Sequence, residues 1–361
     1  MKPIIFVSES LVTIGGVVRV ITNWSNYFIK NGRDVEIMSI KHGKPYFNLD
    51  EKVKFTILDI KFRYKLFKLI DILPNTFKIY KFLKQRQNTN IVFNKSLYIE
   101  PIWILRKLGL FKNINLIYMH HGGSSGFRTF YLSRRGTAHR VKMIFNTFDK
   151  VICLYDDEVN YPKQIIKEKL FFIENPLSFK LSNVNFEQKE NIVLSLGRAT
   201  KAKGVDTLIY AWDKLKDSVN DWKLQIVGEG EDKKEFIELV KKLNIKNIEF
   251  IDGTTNIKPL YEKSKIFIIP SILEGFGMTI IEAMACKSCV ISSKTAGGNK
   301  LVNHKDTGLL FGIGDIGDLS RKIIDMIGDK KMRESLANNA FEYVKIYEIE
   351  NISKKWNRVL V

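Results

Sequence analysis

Short apolar runs recur along the chain, separated by stretches in which apolar residues have helical spacing. A first group of runs predicts buried strands at residues 4–8, 35–39, 91–93, 116–119 and 151–154. A second group predicts strands at residues 192–196, 222–227, 248–253, 265–270 and 290–293. Strands that alternate with helices form parallel sheets covered on both faces. The pattern therefore predicts an α/β protein with two doubly wound, Rossmann-like domains.

A polar segment without apolar periodicity lies between the two groups of strands. It runs from Ser178 to Glu190 and is typical of a linker. We therefore predict an N-terminal domain over residues 1–178, a C-terminal domain over residues 190–340 and a helical end over residues 341–361. A chain of 361 residues is long enough for two sizeable cores.

The basic character of the chain is concentrated in its first half. Residues 1–180 contain 30 Lys and Arg and 14 Asp and Glu, a net charge of +16, whereas the remainder has a net charge of +3. No apolar run approaches the roughly 20 residues needed to cross a bilayer, and the start lacks the features of a secretion signal. Three cysteines do not make a disulfide framework. These features predict a cytoplasmic protein.

Aromatic, aliphatic and basic residues are mixed between Tyr64 and Lys84. The surrounding segment, residues 52–95, has 11 basic residues and two acidic ones. Basic amphipathic helices with aromatic faces bind anionic membranes, so the segment predicts peripheral attachment to the inner face of the cell membrane. The alternative is a pair of domain helices, each with one buried and one solvated face. The candidate lipid contacts are Lys65, Lys68, Lys78 and Lys81, and a candidate contact for an anionic acceptor or phospholipid comprises Arg128, Arg134, Arg135 and Arg140.

A glycine-rich turn follows the apolar run at 265–270. It contains Gly275 and Gly277, and two carboxylates, Glu274 and Glu282, frame it. Glycines let the backbone approach a ligand closely, and a helix that begins after them offers unpaired N–H groups to an anion. A carboxylate would repel a phosphate, so we expect these two to accept hydrogen bonds from sugar hydroxyls. The turn therefore predicts a nucleotide-sugar site; the alternative is an ordinary strand–turn–helix unit with a solvated Glu282.

Two basic residues follow the first strand of the second domain. Arg198 and Lys203 lie on the loop before a helix predicted at 205–214. A guanidinium fork and an ammonium group at this position can neutralise a diphosphate through charge-assisted hydrogen bonds. Their place at a strand end favours this role over that of ordinary solvated residues.

The first domain has two candidate loops at strand ends. His120 and His121 follow the strand at 116–119, where parallel α/β sheets bind ligands. A metal site at this pair is disfavoured, because no nearby Cys, Asp or Glu completes a ligand set. Gly15 and Gly16 follow the first strand, but they lack the full Gly-x-Gly-x-x-Gly fingerprint of a dinucleotide site. A purely structural turn is an alternative for Gly15.

Residues 270–285 resemble the signature of the retaining glycosyltransferases of family 4, the glycosyl transferases group 1, which have the GT-B fold. The resemblance rests on Pro-Ser at 270–271, Glu-Gly-Phe-Gly at 274–277 and Glu-Ala-Met-Ala at 282–285. Arg198 and Lys203 match the donor-phosphate pair of that family residue for residue. The chain departs from the family pattern at residues 287–289 and after Gly297-Gly298, which affects the sugar-end contacts and the identity of the donor.

The resemblance implies two domains that face each other across a cleft, with the last helix returning to the first domain. It also implies transfer of a sugar, with retention, from a nucleoside diphosphate donor to a glycan or lipid-linked acceptor, without a cofactor or an essential metal. A UDP-sugar is favoured over a GDP-sugar. The catalytic candidates are His120, His121 and Glu274, and the cleft loop is Gly15 and Gly16. The donor-binding candidates are Arg198, Lys203, Gly228, Gly253, Thr254, Glu274, Gly275, Phe276, Gly277 and Glu282.

Two other classes of protein share some of these features. A GT-B-like sugar-nucleotide epimerase would have the same phosphate site, but it would need acid and base groups that the sequence does not place. A basic nucleic-acid-binding protein would fit the charge. It would have no use for Glu274 and Glu282 beside a glycine turn, and no recognised nucleic-acid module is present, so no nucleic-acid partner is predicted.

Overall fold

The chain divides into two compact units, each built on one parallel sheet. The computed structural model describes residues 1–40, 42–58, 60, 68–94, 98–121, 143–155 and 168–360. The first unit comprises Met1–Pro176 together with Ile349–Val361, and the second comprises Leu177–Glu348. Two parallel sheets with interleaved helices confirm the predicted α/β class with two Rossmann-like domains.

The sheet of the first unit has the strand order β3-β2-β1-β4-β5-β6-β7, and all neighbours pair in parallel. The strands are β1 (Ile4–Ser8), β2 (Val35–Ser39), β3 (Lys54–Ile57), β4 (Asn90–Phe93), β5 (Asn115–Met119), β6 (Lys150–Cys153) and β7 (Leu170–Phe172). The helices described before β5 are α1 (Gly16–Lys30), α2 (Lys68–Lys84) and α3 (Ile99–Lys107). The central strands are buried along their whole length, which explains their continuous apolar sequences. The sequence pattern missed β3, because this edge strand is partly exposed and begins with a lysine.

The sheet of the second unit has the doubly wound order β10-β9-β8-β11-β12-β13. Its strands are β8 (Glu190–Leu196), β9 (Lys223–Val227), β10 (Ile248–Ile251), β11 (Ser264–Ile269), β12 (Cys289–Ser293) and β13 (Leu309–Phe311). Its helices are α4 (Val205–Asp213), α5 (Lys233–Lys242), α6 (Lys258–Lys263), α7 (Met278–Ala285), α8 (Ala296–Leu301), α9 (Ile316–Gly328) and α10 (Lys330–Val344). The largest contributions to a core cluster of this unit come from α4 and α9, and β9, β11, β12 and β13 each contribute two buried residues.

The last helix, α11 (Ile349–Trp356), belongs to the first unit. The ring of Trp356 is fully buried, and its centroid lies 5.3 Å from that of Trp24, 5.6 Å from that of Phe28 and 6.2 Å from that of Phe6. Trp24 and Phe28 lie on α1 and Phe6 on β1. The C-terminal helix therefore completes the aromatic core on one face of the first sheet.

Helix α2 is one continuous helix that contains Pro74. Over residues 68–84 the structure therefore has one helix, where the alternative to membrane attachment was a pair of domain helices. A proline inside a helix costs about 3 kcal/mol, because it removes a hydrogen bond and crowds the preceding turn. Ile79, Phe82 and Leu83 are buried in the core of the first unit, and this packing offsets the loss.

The polar segment expected to be a linker is hydrogen-bonded to the second unit. The Ser182 backbone N–H donates to the Ala285 carbonyl at 2.9 Å, and its hydroxyl donates to the Glu262 carboxylate at 2.6 Å. Asn185 caps a short 3₁₀ turn that buries Phe186. This segment is attached through polar side chains rather than apolar ones. Its sequence is therefore as polar as that of an unattached linker.

Candidate functional site

The loops that follow four neighbouring strands of the second sheet share its carboxyl edge. In the order β10-β9-β8-β11 each pair is parallel, so the loops that leave these strands lie side by side. They begin at Gly197 after β8, Gly228 after β9, Asp252 after β10 and Pro270 after β11. The predicted donor-binding residues of the second unit lie on these loops, except Glu282, which is in α7.

The two strongest sequence motifs are in direct contact. The Ile272 N–H donates to the Ala202 carbonyl at 3.0 Å. Gly204 has a left-handed φ of +65°, and a Cβ atom there would lie 2.0 Å from the Pro270 carbonyl oxygen. Any side chain at this position would push the loop after β8 away from the loop after β11. The glycine therefore allows the basic loop to pack on the glycine-rich turn.

Lys203 and Glu274 form an ion pair where these loops meet. The Lys203 Nζ atom lies 2.6 Å from Oε2 of Glu274, and the two side chains are 25% and 16% exposed. The Ser271 hydroxyl donates to the same carboxylate oxygen at 3.4 Å. The sequence predicted a phosphate contact and a sugar contact at separate positions, whereas the structure pairs them. An ammonium group has three N–H donors, so Lys203 can hold Glu274 and still bind a phosphate oxygen.

Arg198 is an exposed residue on the same loop, directly after β8. Its backbone is fixed by a hydrogen bond from the Thr200 N–H to the Arg198 carbonyl at 2.9 Å. The neighbouring loop supports it, because Gly228 has a φ of +140° and a Cβ atom there would lie 1.9 Å from the Gly197 carbonyl oxygen. The guanidinium therefore extends into solvent from a rigid base, as an anion contact requires.

Gly253 and Thr254 lie on the loop after β10. The Gly253 N–H donates to Oε1 of Glu229 at 3.3 Å, and the Asn256 N–H donates to the Thr254 hydroxyl oxygen at 3.1 Å. Glu229 is on the loop after β9, so the two neighbouring loops are joined by a side chain. The resemblance places the nucleotide base at this loop, and that assignment stays a prediction.

A hydrogen bond and aromatic packing fix the turn before α7. Gly277 caps the helix with a φ of +89°, and the Gly297 N–H donates to the Glu274 carbonyl at 3.3 Å. The Phe276 ring is buried, edge-on to Tyr347 at 6.1 Å between centroids. A donor contact by Phe276 would therefore involve its backbone. Gly275 lies between these fixed points and is half-buried.

Glu282 is buried, with 1% of its surface exposed. The Ser178 hydroxyl donates to Oε1 at 2.5 Å and the Tyr261 hydroxyl donates to Oε2 at 3.1 Å. The alternative of a solvated helix residue is therefore wrong. Sequence reasoning missed Ser178 and Tyr261 as partners, since Ser178 was assigned to a linker. The proposed contact between Glu282 and a sugar hydroxyl stays a prediction.

The two histidines follow β5 in the first unit and have different environments. Burial lowers the pKa of His120 to about 4, so its imidazole is neutral near pH 7. His121 is half-buried, and its Nε2 atom lies 2.6 Å from Oδ1 of Asn94, the residue after β4.

Asn94 fixes the direction of that hydrogen bond. Its Nδ2 atom donates to the Val7 carbonyl at 3.2 Å and to the Val92 carbonyl at 3.3 Å. Because both partners are carbonyls, Oδ1 is the acceptor toward His121, and the Nε2 atom of His121 donates a proton in this hydrogen bond. Sequence reasoning missed Asn94; its signal was a polar residue at the end of the strand next to the histidine strand. Which histidine contacts a donor stays open.

Gly15 and Gly16 stand at the start of α1. Gly15 has an extended φ of 177°, and a Cβ atom built on it would have no heavy atom within 4 Å. Neither backbone strain nor packing in the described residues therefore requires glycine at position 15. The cleft-loop role of Gly15 and Gly16 stays a prediction.

Some predicted contacts lie outside the described residues, and two further features, metal-binding groups and membrane-spanning helices, can be assessed only within the described residues. Lys65 and the arginines of the candidate acceptor contact, Arg128, Arg134, Arg135 and Arg140, lie outside the described residues. Among the residues that the structure does describe, no group of three or more His, Cys, Asp or Glu could hold a metal ion. In that same part of the chain, no helix combines the length and the apolarity that spanning a bilayer demands.

Comparison with protein families identifies the second unit. Residues 179–343 match the family described as glycosyl transferases group 1. This region is a group 1 glycosyltransferase domain. It contains Arg198, Lys203, Glu274 and Glu282, the residues on which the resemblance rested. The prediction of a glycosyltransferase is confirmed, while membership of family 4 and retention of configuration stay predictions.

Three curated relatives match this chain along its whole length. An uncharacterized glycosyltransferase of Haemophilus influenzae is 29% identical over 100% of both chains. The GalNAc-alpha-(1->4)-GalNAc-alpha-(1->3)-diNAcBac-PP-undecaprenol alpha-1,4-N-acetyl-D-galactosaminyltransferase of Campylobacter jejuni is 29% identical over 100% of this chain and 98% of its own. The amylovoran biosynthesis glycosyltransferase AmsD of Erwinia amylovora is 27% identical over 100% of both chains.

Solved structures share the fold of this chain. TarM has a TM-score of 0.80 at 17% identity, covering 100% of this chain and 99% of its own. Anabaena Alr3699/HepE, solved in complex with UDP and glucose, has a TM-score of 0.80 at 18% identity with the same coverage. These likenesses confirm the GT-B type of fold over the whole chain.

Proposed function

We propose that the protein transfers a sugar from a nucleoside diphosphate donor, a UDP-sugar rather than a GDP-sugar, to a glycan or lipid-linked acceptor. The main support is the contact between the two motifs in the second unit. There a basic loop bearing Arg198 and Lys203 packs on the turn bearing Glu274. Charges for a diphosphate and an acceptor for a hydroxyl are thereby held a few ångströms apart, as a nucleotide sugar requires.

The proposed chemistry uses these charges at the leaving group. As the glycosidic bond to the donor breaks, negative charge develops on the diphosphate, and Arg198 and Lys203 stabilise it there. These two groups supply the positive charge in a metal-independent mechanism. Glu274, already bonded to Lys203, accepts a hydrogen bond from a hydroxyl of the sugar. No two carboxylates are assigned as nucleophile and acid, so we propose retention by attack on the same face as the leaving diphosphate.

The acceptor class is proposed from the relatives. The Campylobacter jejuni relative is named for an acceptor glycan on undecaprenyl diphosphate, and the Erwinia amylovora relative for amylovoran biosynthesis. We propose an acceptor of this kind, a growing bacterial surface glycan on a lipid carrier. Such an acceptor lies at a membrane, so the enzyme would work in the cytoplasm at the inner membrane face.

One face of α2 supports attachment to that membrane. Leu73 and Phe77 are 72% and 56% exposed, and the Lys81 ammonium lies 4.5 Å from the centre of the Phe77 ring. Positions 73, 77 and 81 are spaced by four residues and share one side of the helix, whereas Ile79 and Phe82 are buried. The helix therefore has a buried face and a second face that combines apolar groups with positive charge, as interfacial helices do.

Ligand binding and turnover of the full chain test the proposal. We expect UDP and one or more UDP-sugars to raise the unfolding temperature, since a ligand at 100 times its Kd adds about 2.7 kcal/mol of stability. We further expect transfer to a lipid-linked acceptor that persists in EDTA. Absence of binding by every nucleotide and nucleotide sugar would refute the function, whereas activity lost in EDTA and restored by Mg²⁺ would refute only metal independence.

A further inference from the structure

The residues at the start of α5 lie between the two loops proposed to bind the donor. Strand β9 is flanked by β8 and β10, and the loop after β9 leads into α5 through Asp232 and Lys233. The loop after β8 carries Arg198 and Lys203 and is here called the phosphate loop (residues 197–204). The loop after β10 carries Gly253 and Thr254 and is here called the base loop (residues 252–256). The start of α5 can therefore contact both.

Asp232 holds the phosphate loop. Its Oδ2 atom accepts a hydrogen bond from the Lys201 backbone N–H at 2.8 Å, and its own N–H donates to the Ala199 carbonyl at 3.2 Å. Lys201 is the first residue of the 3₁₀ turn that ends at Lys203. The carboxylate of Asp232 therefore anchors the turn that presents the Lys203 ammonium.

Lys233 holds the base loop. Its Nζ atom lies 2.6 Å from Oδ1 of Asp252 and 3.0 Å from Oε1 of Glu229. The same Glu229 oxygen accepts the hydrogen bond from the Gly253 N–H. The lysine side chain is only 14% exposed, although Asp252 is 89% and Glu229 55% exposed. The ammonium thus joins a carboxylate on each of two adjacent loops, and one of these also fixes the base-loop backbone.

Removal of the ammonium would leave two carboxylates close together with no cation between them. Like charges at this distance repel, and the exposed Asp252 would move into solvent with its loop. Exposed ion pairs contribute little to global stability, so the main consequence is local. It is a change in the order of the base loop.

We propose that Asp232 and Lys233 form a brace that keeps the phosphate loop and the base loop in register for one nucleotide. This inference rests on the proposed function. Asp232 and Lys233 are positioning residues, because they act through the Lys201–Lys203 turn and through Glu229 and Gly253. The brace assigns separate parts of the ligand to the two residues: the diphosphate to Asp232 and the nucleoside to Lys233.

Affinities of the full chain for UDP and for inorganic pyrophosphate test the brace. We would measure UDP by calorimetry and pyrophosphate by competition against UDP, at constant ionic strength. Lys233→Met keeps the aliphatic stem and should weaken UDP about 3- to 10-fold while changing pyrophosphate less than 2-fold, a difference of about 1 kcal/mol. Asp232→Ala should weaken both ligands. Lys233→Arg and Asp232→Asn, which keep the cation and an acceptor oxygen, should restore most of the affinity.

Lys330→Met is the matched control. Lys330 also lies between two carboxylates, 2.7 Å from Glu187 and 3.8 Å from Glu334. Glu187 precedes β8 and so lies toward the amino edge of the sheet, away from the proposed nucleotide. Lys330→Met should bind both ligands as the unaltered chain does. The unfolding temperature of every variant should lie within a few degrees of that of the unaltered chain.

The outcomes separate the brace from the proposed function. If the unaltered chain binds no nucleotide, the proposed function fails. If it binds UDP but Lys233→Met binds UDP equally well, or loses UDP and pyrophosphate affinity by the same factor, the brace is wrong. The equal loss would indicate a general charge effect. Failure of pyrophosphate to compete with UDP in the unaltered chain would also overturn the division between the loops.

Discussion

At the scale of single residues, the site differs from the sequence prediction in that Lys203 and Glu274 form an ion pair. The ion pair is partly shielded from water and links the two loops that carry the family motifs. When a phosphate approaches Lys203, the ammonium group is already paired with the Glu274 carboxylate. Lys203 is thus held in place by Glu274 before a ligand arrives, which lowers the entropy lost on binding. Arg198 is exposed and has no such restraint from the ion pairs of the described residues.

Arg198→Ala and Lys203→Ala should each reduce kcat/KM for the donor. A charge-assisted hydrogen bond contributes about 1.5–3 kcal/mol, which corresponds to a loss of roughly 10- to 150-fold. We expect the larger loss for Lys203→Ala, because it also leaves Glu274 uncompensated beside the phosphate. Lys201→Ala is the control, since this exposed lysine of the same turn pairs with Glu235. Steady-state kinetics decide, and near-normal turnover in both site variants would contradict the phosphate assignment.

His120 should make the first unit sensitive to acid. The unfolded chain binds a proton at His120 below about pH 6.5, whereas burial delays protonation in the folded protein to about pH 4. The unfolded state therefore binds more protons between these values, and stability falls as pH is lowered through them, by about 3 kcal/mol in total. His120→Gln should flatten the dependence of stability on pH in this interval. Denaturation curves of the unaltered protein and of His120→Gln at pH 7 and pH 5 give the change in the free energy of unfolding between these pH values. An equal change in the two proteins would contradict the prediction.

At the scale of elements, α2 shows how one helix serves two environments. Its buried residues pack in the core with α3, and its opposite side exposes apolar and basic groups. The sequence left open whether the aromatic residues serve the core or a membrane. The structure divides them, because Phe82 is buried and Phe77 is exposed.

Charge reversal on α2 should release the protein from anionic vesicles. We expect Lys78→Glu with Lys81→Glu to abolish most co-sedimentation at low salt, since each basic residue near the surface contributes about 1 kcal/mol. The control is Lys241→Glu with Lys242→Glu at the end of α5, an equal charge change in the second unit. Binding of the unaltered protein should also weaken as salt rises. Equal binding to neutral vesicles, or equal loss in the control, would identify the α2 lysines as ordinary surface residues.

At the scale of the whole molecule, the first unit depends on the end of the chain. Trp356 supplies a fully buried ring to a cluster with Trp24 and Phe28, more than 300 residues away in sequence. The Lys150 ammonium also donates to the Val359 carbonyl at 2.9 Å. Because α11 follows the second unit in the sequence, the core of the first unit is complete only after the second unit has been synthesised.

Trp356→Ala should destabilise the first unit selectively. Removal of a buried tryptophan side chain costs about 3–5 kcal/mol, through lost burial and the cavity left behind. Hydrogen exchange followed by mass spectrometry should show lost protection in residues 1–176 and little change in residues 177–348. Trp356→Phe keeps part of the ring and should have a smaller effect. A loss of protection confined to the second unit would contradict the assignment of α11.

The sequence determined the fold class and the candidate loops of the site. Continuous apolar runs predict buried parallel strands because such strands have both faces covered, and most described strands begin and end within two residues of these runs. Glycines and charges directly after a strand predict a site because parallel strands share one carboxyl edge. Arg198, Lys203 and Glu274 were identified in this way.

Only the tertiary structure decided which residues meet. The pairing of Lys203 with Glu274, of Glu282 with Ser178 and Tyr261, and the contacts of α11 join positions far apart in sequence. Local periodicity carries no information about such pairs, because they depend on strand order and on the path of each loop. The same limit applies to the polar segment after residue 177. Its local sequence is typical of a linker, whereas long-range hydrogen bonds attach it to the second unit.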